Sequence, residues 1–241
     1  MRWLQTTLLC AALAACAGAP ELPGSRHNEG AATAAPTDLA AAYAQLRAAG
    51  GSVFTLNPAQ SAIRIYAFRA GKAAKFGHNH VLSAPDFQGF FYLAPDGTAA
   101  SRFDLAFRLD QLTFDDPQHR AALGPAFTSP ISADDTASTR NNMLGDNNFQ
   151  AARFPWVRIH SVQISGDAPK YAARIAVELH GQTREMLVPL TVSGLPEKLV
   201  VEGALVLQQS NFGVKPLSVL GGLLSVQDAV IVEFKLSGEA P

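Results

Sequence analysis

Apolar and polar residues alternate along one segment after another from residue 52 onward. In the segment 103–109 every second residue is Phe or Leu, and in the segment 171–179 every second residue is again apolar. This period of two is typical of a strand that buries one face. Ten strands are predicted, separated by turns rich in Gly, Pro, Asn and Asp. They lie near residues 53–57, 61–69, 76–83, 87–94, 101–113, 156–166, 170–180, 185–193, 198–210 and 226–237.

Short turns between such strands favour antiparallel pairing of sequence neighbours. About eight long strands in one domain form either a sandwich or a closed barrel, and closure removes the unpaired edges. A barrel of eight strands has room for one small ligand. Only the segment 115–153 interrupts the pattern, with a short helix predicted from Asp135 to Leu144. The sequence therefore predicts an all-β domain with a short helix in an insertion.

Both faces of the predicted strand 198–210 are apolar. One face carries Val200, Ala204 and Val206, and the other carries Leu199, Val201, Leu205 and Leu207. A strand that faces water on one side has a polar outer face. We therefore expect a second apolar surface here, covered by a helix, a dimer partner or a membrane.

The N-terminus resembles the signal of a bacterial lipoprotein. A positive start at Arg2 precedes an apolar run that is too short to span a bilayer, which takes about 20 apolar residues. The run ends in Leu13-Ala14-Ala15-Cys16, which resembles the lipobox, where the cysteine is acylated and becomes the new N-terminus. We predict a signal peptide over residues 1–15 and lipidation at Cys16. The alternative is an ordinary signal cleaved near Ala19.

Lipidation at Cys16 sets the expected location. Acylation of the lipoprotein type adds several chains, which makes anchoring effectively permanent. Ala17 follows the cysteine, and by resemblance to enterobacterial sorting the absence of Asp there favours the outer membrane over the inner one. The expected location is the periplasmic side of the cell envelope, anchored by lipid.

Residues 16–50 are rich in Ala, Gly and Pro and are predicted to tether the domain 51–241 to the membrane. Part of this stretch is expected to be helical over 38–48, with Thr37 as the N-cap. The apolar face of that helix comprises Leu39, Tyr43 and Leu46. A partly helical spacer is the favoured interpretation, and a plug or lid on the domain is the alternative.

Composition excludes several classes of function. Lys and Arg total 19 against 20 for Asp and Glu, so no basic excess is available to neutralise a phosphate backbone, and nucleic acid is not an expected partner. Hydrophobic residues make up 48% of the chain, which excludes disorder throughout. The nucleophile motif Gly-Xaa-Ser-Xaa-Gly does not occur. We predict that the protein is not an enzyme and holds no resident cofactor.

Four short motifs occur in order between residues 53 and 237. They are FTLNPAQSAI from Phe54, NMLGDNNF from Asn142 with Arg153-Phe154-Pro155 after it, HGQTR from His180, and QQSNFG from Gln208. Together they resemble the YceI-like, polyisoprenoid-binding family. The resemblance implies an extended, lipocalin-like antiparallel β-barrel whose lumen takes up a long isoprenoid or similar amphiphile. It implies no established catalytic residues.

Eight apolar residues are the predicted ligand-binding residues, because strand alternation makes them candidates for the lumen. They are Phe103, Phe107, Ile175, Val177, Leu205, Phe212, Val230 and Phe234. The alternative for each is plain core packing. Arg64, Arg158 and Arg174 are candidate partners of a ligand head group, with a solvated surface position as the alternative.

His78 and His80 are the residues most suggestive of a metal. The two histidines are two residues apart in a predicted strand, so both rings would point to the same face. His160 or His180 could supply a further ligand. A zinc or copper site needs three or four such ligands. The competing interpretation is a pair of hydrogen-bonded polar groups at the barrel mouth.

Three hypotheses follow from these features. The leading one is a membrane-anchored lipoprotein that binds a polyisoprenoid, quinone or similar lipid in a barrel cavity, for carriage or storage. The second is a metal-binding or redox accessory protein that uses His78 and His80. The third is a protein-interaction module of the cell envelope, including a homodimer formed through the outer apolar face.

Overall fold

A closed ring of antiparallel strands forms the body of the protein. The structure is a computed structural model and describes residues 38–240. Its strands are β1 (Ser52–Leu56), β2 (Ala62–Ala67), β3 (Arg69–Ala70), β4 (His80–Ser83), β5 (Gln88–Leu93), β6 (Arg102–Arg108), β7 (Thr113–Phe114), β8 (Trp156–Asp167), β9 (Lys170–Leu179), β10 (Gln182–Ser193), β11 (Lys198–Gln208), β12 (Ser218–Val219), β13 (Leu224–Val226) and β14 (Ala229–Glu239). Its α-helices are α1 (Leu39–Ala48), α2 (Pro117–Ala122) and α3 (Ala133–Leu144).

The ring contains eight strands in the order β1-β5-β6-β8-β9-β10-β11-β14, and β14 closes it by pairing with β1. All of these pairs are antiparallel. Strand β14 also pairs with β2 along residues 231–235, while Gly238 and Glu239 pair with β1. Strands β4 and β7 continue the sheet beyond β2. The predicted all-β barrel of about eight strands is confirmed.

Three of the predicted strands end earlier or begin later than expected. The segment 101–113 leaves the sheet at Leu109, where a 3₁₀ turn forms and Asp110 folds back onto Arg108 with contacts of 2.9 and 2.7 Å. The segment 76–83 is a strand only from His80, because residues 74–76 form another 3₁₀ turn. The segment 226–237 is broken at Asp228, whose carboxylate accepts from Ser210 N at 2.7 Å.

Helix α1 packs on the outside of the barrel. Its N-cap is Asp38, one residue later than predicted, and its Tyr43 is 2% exposed. The Tyr43 ring stacks on Phe90 at 5.1 Å, and its hydroxyl donates to Asp104 Oδ2 at 2.8 Å. Since Phe90 points to the opposite face of β5 from the inward Phe91, this helix lies against the barrel wall and does not plug the lumen. The predicted signal peptide, Cys16 and the first part of the tether lie outside the described residues.

Helix α3 is the insertion helix predicted from the sequence, and it begins two residues earlier. Its N-cap Ser132 accepts from Asp135 N at 3.0 Å. Arg140 fastens the helix by donating to the carbonyl oxygens of Leu112, at 2.8 Å, and Asp110. Across residues 38–240, none of the helices is both long and apolar enough to cross a membrane.

Candidate ligand cavity

A cavity of about 280 Å³ lies inside the barrel. Its lining is almost wholly apolar and is supplied by the inner faces of the ring strands, together with β2, β4, β7 and α3. Tyr171 and Leu179, at opposite ends of β9, both line it. At about 3.3 Å per residue, the cavity therefore follows roughly 26 Å of strand. Its shape suits an extended apolar chain.

The alternation seen in the sequence decides which side chains face this cavity. On β9 Tyr171, Ile175, Val177 and Leu179 line the cavity, and on β14 so do Val230, Val232, Phe234 and Leu236. On β11 both faces are apolar, so the sequence did not show which face points inward. In the structure Leu205 lines the cavity, and Val206 is 59% exposed on the outside. The inner face of the barrel is thus apolar on every long strand.

Seven of the eight predicted ligand-binding residues line the cavity. They are Phe103, Phe107, Ile175, Val177, Leu205, Val230 and Phe234. Four of these come from β6 and β14, which are separated in the ring by β1 and β5, and their side chains therefore project from different parts of the wall. Their role in binding stays a prediction.

Phe212, the eighth, is not part of the cavity lining. It lies in the 3₁₀ turn Gln209–Phe212 that follows β11, where the strand alternation no longer applies, and is 1% exposed in the core. The Nδ1 atom of His180 lies 3.0 Å from the Phe212 carbonyl oxygen, and the His180 ring packs against Phe154 at 4.9 Å. His180 therefore fastens the β9–β10 turn to this 3₁₀ turn.

A few polar residues interrupt the apolar lining. They are His80, Thr98, Ser101, Thr139, Asn142, Asn148 and Gln209. Asn148 is buried, and its Nδ2 donates to the Lys215 carbonyl oxygen at 2.8 Å, whereas its Oδ1 is buried without a hydrogen-bond partner. A buried acceptor of this kind gains about 1–3 kcal/mol when a donor reaches it. Asn148 Oδ1 is therefore suited to a hydroxyl or amide group on a ligand.

The arginines predicted to contact a head group lie elsewhere. Arg158 pairs with Glu178 at 2.7 Å, and Arg174 lies 3.8 Å from Glu185. Neither these two nor Arg64 lines the cavity. Sequence reasoning missed the role of Asn148, although it lies within a motif quoted above, because nothing local places its side chain at a lumen.

His80 belongs to a buried ionic network at the cavity wall. Its Nδ1 lies 2.7 Å from Asp115 Oδ2, and the other carboxylate oxygen accepts from Val81 N at 3.1 Å and from Arg120 Nη1 at 2.7 Å. The side chains of Asp115 and Arg120 are 1% and 8% exposed. Burial alone would raise the pKa of Asp115, but the hydrogen bonds from His80, Val81 and Arg120 outweigh it and hold that pKa below its usual value.

The two histidines singled out for a metal do not gain a third ligand. His78 precedes β4 and is therefore not a strand residue, contrary to expectation, and the centroids of the His78 and His80 rings lie 6.5 Å apart. His78 Nδ1 lies 3.0 Å from Ser129 Oγ, and burial lowers the pKa of this histidine. Between residues 38 and 240, no cluster of three or more His, Cys, Asp and Glu side chains is arranged to hold a metal ion. Neither His160 nor His180 therefore completes a site there.

The second apolar surface expected from β11 is present on the outside of the barrel. Leu187 on β10 is 67% exposed, and Val206 lies opposite Ile231 of β14. A homodimer formed through this surface stays a prediction.

Comparison with known proteins agrees with the motifs and the barrel. The YceI-like domain profile matches residues 54–238, whereas curated proteins give no match. The crystal structure of BcnA from Burkholderia cenocepacia is similar with a TM-score of 0.55 and 16% identity, over 76% of this chain and 98% of BcnA. A YceI protein from Campylobacter jejuni is similar with a TM-score of 0.48 and 11% identity, over 66% of this chain and 84% of that one. The profile match spans most of the chain, and with the closed barrel it shows that the protein belongs to the YceI-like family, whose barrels bind hydrophobic ligands.

Proposed function

We propose that the protein is a membrane-anchored lipoprotein of the cell envelope that carries or stores a long apolar lipid, such as a polyisoprenoid or a quinone, inside its barrel. The observation that carries this proposal is the elongated apolar cavity between Tyr171 and Leu179. Burial of apolar surface contributes about 25 cal/mol per Å², so a long chain gains affinity along its whole length. The buried acceptor Asn148 Oδ1 favours a ligand that ends in a hydroxyl group, such as a polyprenol or a quinol.

Graded fatty alcohols test the cavity. Binding to the Cys16→Ser chain, which lacks the predicted acyl groups, is measured by native mass spectrometry with alcohols of increasing length. Each added methylene is worth about 0.8 kcal/mol, so affinity is expected to rise about fourfold per carbon until the cavity is filled. A polyprenol is expected to form a one-to-one complex. Affinity that does not depend on chain length, or a failure to load any of these probes, would contradict the proposal.

The anchor is tested separately through the two cysteines. In cells fed an alkyne analogue of palmitate, the wild-type chain is expected to incorporate label and to sediment with membranes, with the outer-membrane fraction favoured. Cys16→Ser is expected to abolish labelling. The matched control is Cys10→Ser, which alters the signal peptide but leaves the predicted acylation site intact. Labelling that survives Cys16→Ser would refute the lipoprotein assignment without affecting the cavity.

A further inference from the structure

A second, smaller sheet lies beside the barrel and joins two loops that are distant in sequence. Strand β13 pairs with β12 through Val219 and Leu224, and with β3 through Val226 and Arg69. The loops are further joined by a hydrogen bond of 2.7 Å from Ala73 N to the Leu223 carbonyl oxygen. We call residues 69–77 and 215–226 together the tip. The pairing holds the two halves of the tip side by side.

The tip exposes most of the large apolar side chains that the described surface presents. They are Phe76 at 72%, Leu217 at 41%, Val219 at 39%, Leu220 at 74% and Leu223 at 47% exposed. Leu220 has a positive φ of 53° and precedes two glycines that are also left-handed. A left-handed backbone is unfavourable for leucine. At this turn the strained residue also leaves its side chain three-quarters exposed. Clustered exposed apolar side chains are typical of an interaction surface.

The charge of the tip is one-sided. It carries Arg69, Lys72, Lys75 and Lys215 and contains no Asp or Glu, although acidic residues slightly outnumber basic ones over the whole chain. Lys75 Nζ lies 4.9 Å from the centre of the Phe76 ring, so a cation and an exposed aromatic ring are adjacent on the tip surface. Apolar side chains flanked by lysines are typical of segments that lie in the interface of an anionic membrane.

The tip also adjoins the cavity. Leu217 is both exposed in the tip and part of the cavity lining, and Val226 of β13 lines the cavity as well. The backbone N–H of Val226 donates to the Leu217 carbonyl oxygen at 2.9 Å, which fixes the two residues to each other. A lipid chain that left a bilayer at this surface would meet apolar side chains along the way to the lumen.

We propose that the tip docks on the surface of an anionic bilayer, as a reversible contact in addition to the predicted anchor at Cys16. Phe76, Leu220 and Leu223 would enter the headgroup region, and the lysines would contact acidic lipids. A second copy of the chain is a poor occupant, because a symmetric contact places the same cations against each other. The inference goes beyond the proposed lipid binding and does not depend on an occupied cavity.

The test uses vesicles that contain no isoprenoid. The Cys16→Ser chain carries either Leu220→Trp in the tip or Leu187→Trp on the outer barrel wall, where the wild-type leucine is 67% exposed. With vesicles of phosphatidylglycerol and phosphatidylethanolamine, tryptophan emission is expected to shift to the blue for Leu220→Trp only. The shift is expected to be much weaker with pure phosphatidylcholine vesicles, because the acidic lipid is absent.

Charge reversal gives a second measurement. Each basic side chain near an anionic surface is worth about 1 kcal/mol, so Lys72→Glu with Lys75→Glu is expected to lower vesicle affinity at least tenfold in co-sedimentation. Equal blue shifts for the two tryptophan variants, or unchanged affinity after charge reversal, would overturn the proposal. Urea unfolding is measured on the same variants, so that loss of the fold is recognised independently of ligand uptake, and fatty-alcohol binding is measured beside it. A tip that binds vesicles while no alcohol enters the barrel would refute the cavity proposal alone.

Discussion

Replacing Val232 with tryptophan is expected to abolish lipid uptake by the barrel. Val232 lies on β14 between Leu205 of β11 and Ile65 of β2, and all three side chains line the cavity. An indole at this position fills space that a ligand chain would occupy. We expect the affinity for a polyprenol to fall at least a hundredfold, which corresponds to about 2.7 kcal/mol.

The matched control places the same side chain on the other face of the barrel. Val206 of β11 pairs with Ile231, the neighbour of Val232, but points outward and is 59% exposed. Val206→Trp is expected to bind the polyprenol with wild-type affinity. Overpacking typically costs about 1–3 kcal/mol, so urea unfolding of both variants is needed to show that Val232→Trp remains folded. Wild-type affinity in a folded Val232→Trp variant would refute the cavity as the binding site.

Asp115→Asn is expected to cause the largest loss of stability. The Asp115 carboxylate is 1% exposed and pairs with Arg120 and His80 at 2.7 Å each. Removing one partner of a buried ion pair leaves the other charge buried without compensation, which costs about 3–5 kcal/mol. Asparagine keeps the shape and tolerates the positive φ of 52° at this position, so the loss reports mainly on charge. Urea unfolding at neutral pH measures it.

The half-exposed pair of Arg108 and Asp110 provides the control. Its side chains are 34% and 42% exposed, and Asp110→Asn is expected to cost less than about 1 kcal/mol. If Asp115→Asn were no more destabilising than Asp110→Asn, the buried network would not be a main source of stability.

The same network predicts a dependence of stability on pH. The native pKa of Asp115 is lowered, so its contribution is fully present above the unfolded pKa of about 3.9 and is lost as pH falls through the lower native value. The wild-type free energy of unfolding should therefore fall through this acid range more steeply than that of Asp115→Asn. Parallel pH profiles would exclude Asp115 as the titrating group.

Several features of the fold could be predicted from the sequence, because they depend on neighbouring residues. The period-two pattern of β9 predicted both the strand and its buried face, since successive side chains in a strand point to opposite sides. The helix predicted over 38–48 could likewise be predicted, because its cap and its apolar face are set by residues close in sequence. The points where strands are interrupted were harder to predict. The 3₁₀ turns at Leu109 and Phe76 interrupt segments whose apolar pattern continues.

The candidate site could be predicted only in part. Seven of the proposed lining residues follow from alternation, whereas Phe212 lies beyond the end of a strand and escapes that rule. Asn148 and His80 reach the cavity from an insertion and from a short strand, and their partners Lys215 and Asp115 are far away in sequence. No local pattern places such residues at a lumen.

The sequence by itself determined that the chain forms amphipathic strands, and for most of them which residues share the buried face. Only the tertiary structure decided that Leu205 of β11 faces inward and Val206 outward, and that two loops meet in a basic, apolar tip. It also decided that the ring closes between Thr55 and Glu239 around unfilled space. The reason is physical: alternation is set by the geometry of adjacent residues, whereas closure and a cavity depend on how side chains distant in sequence pack against one another.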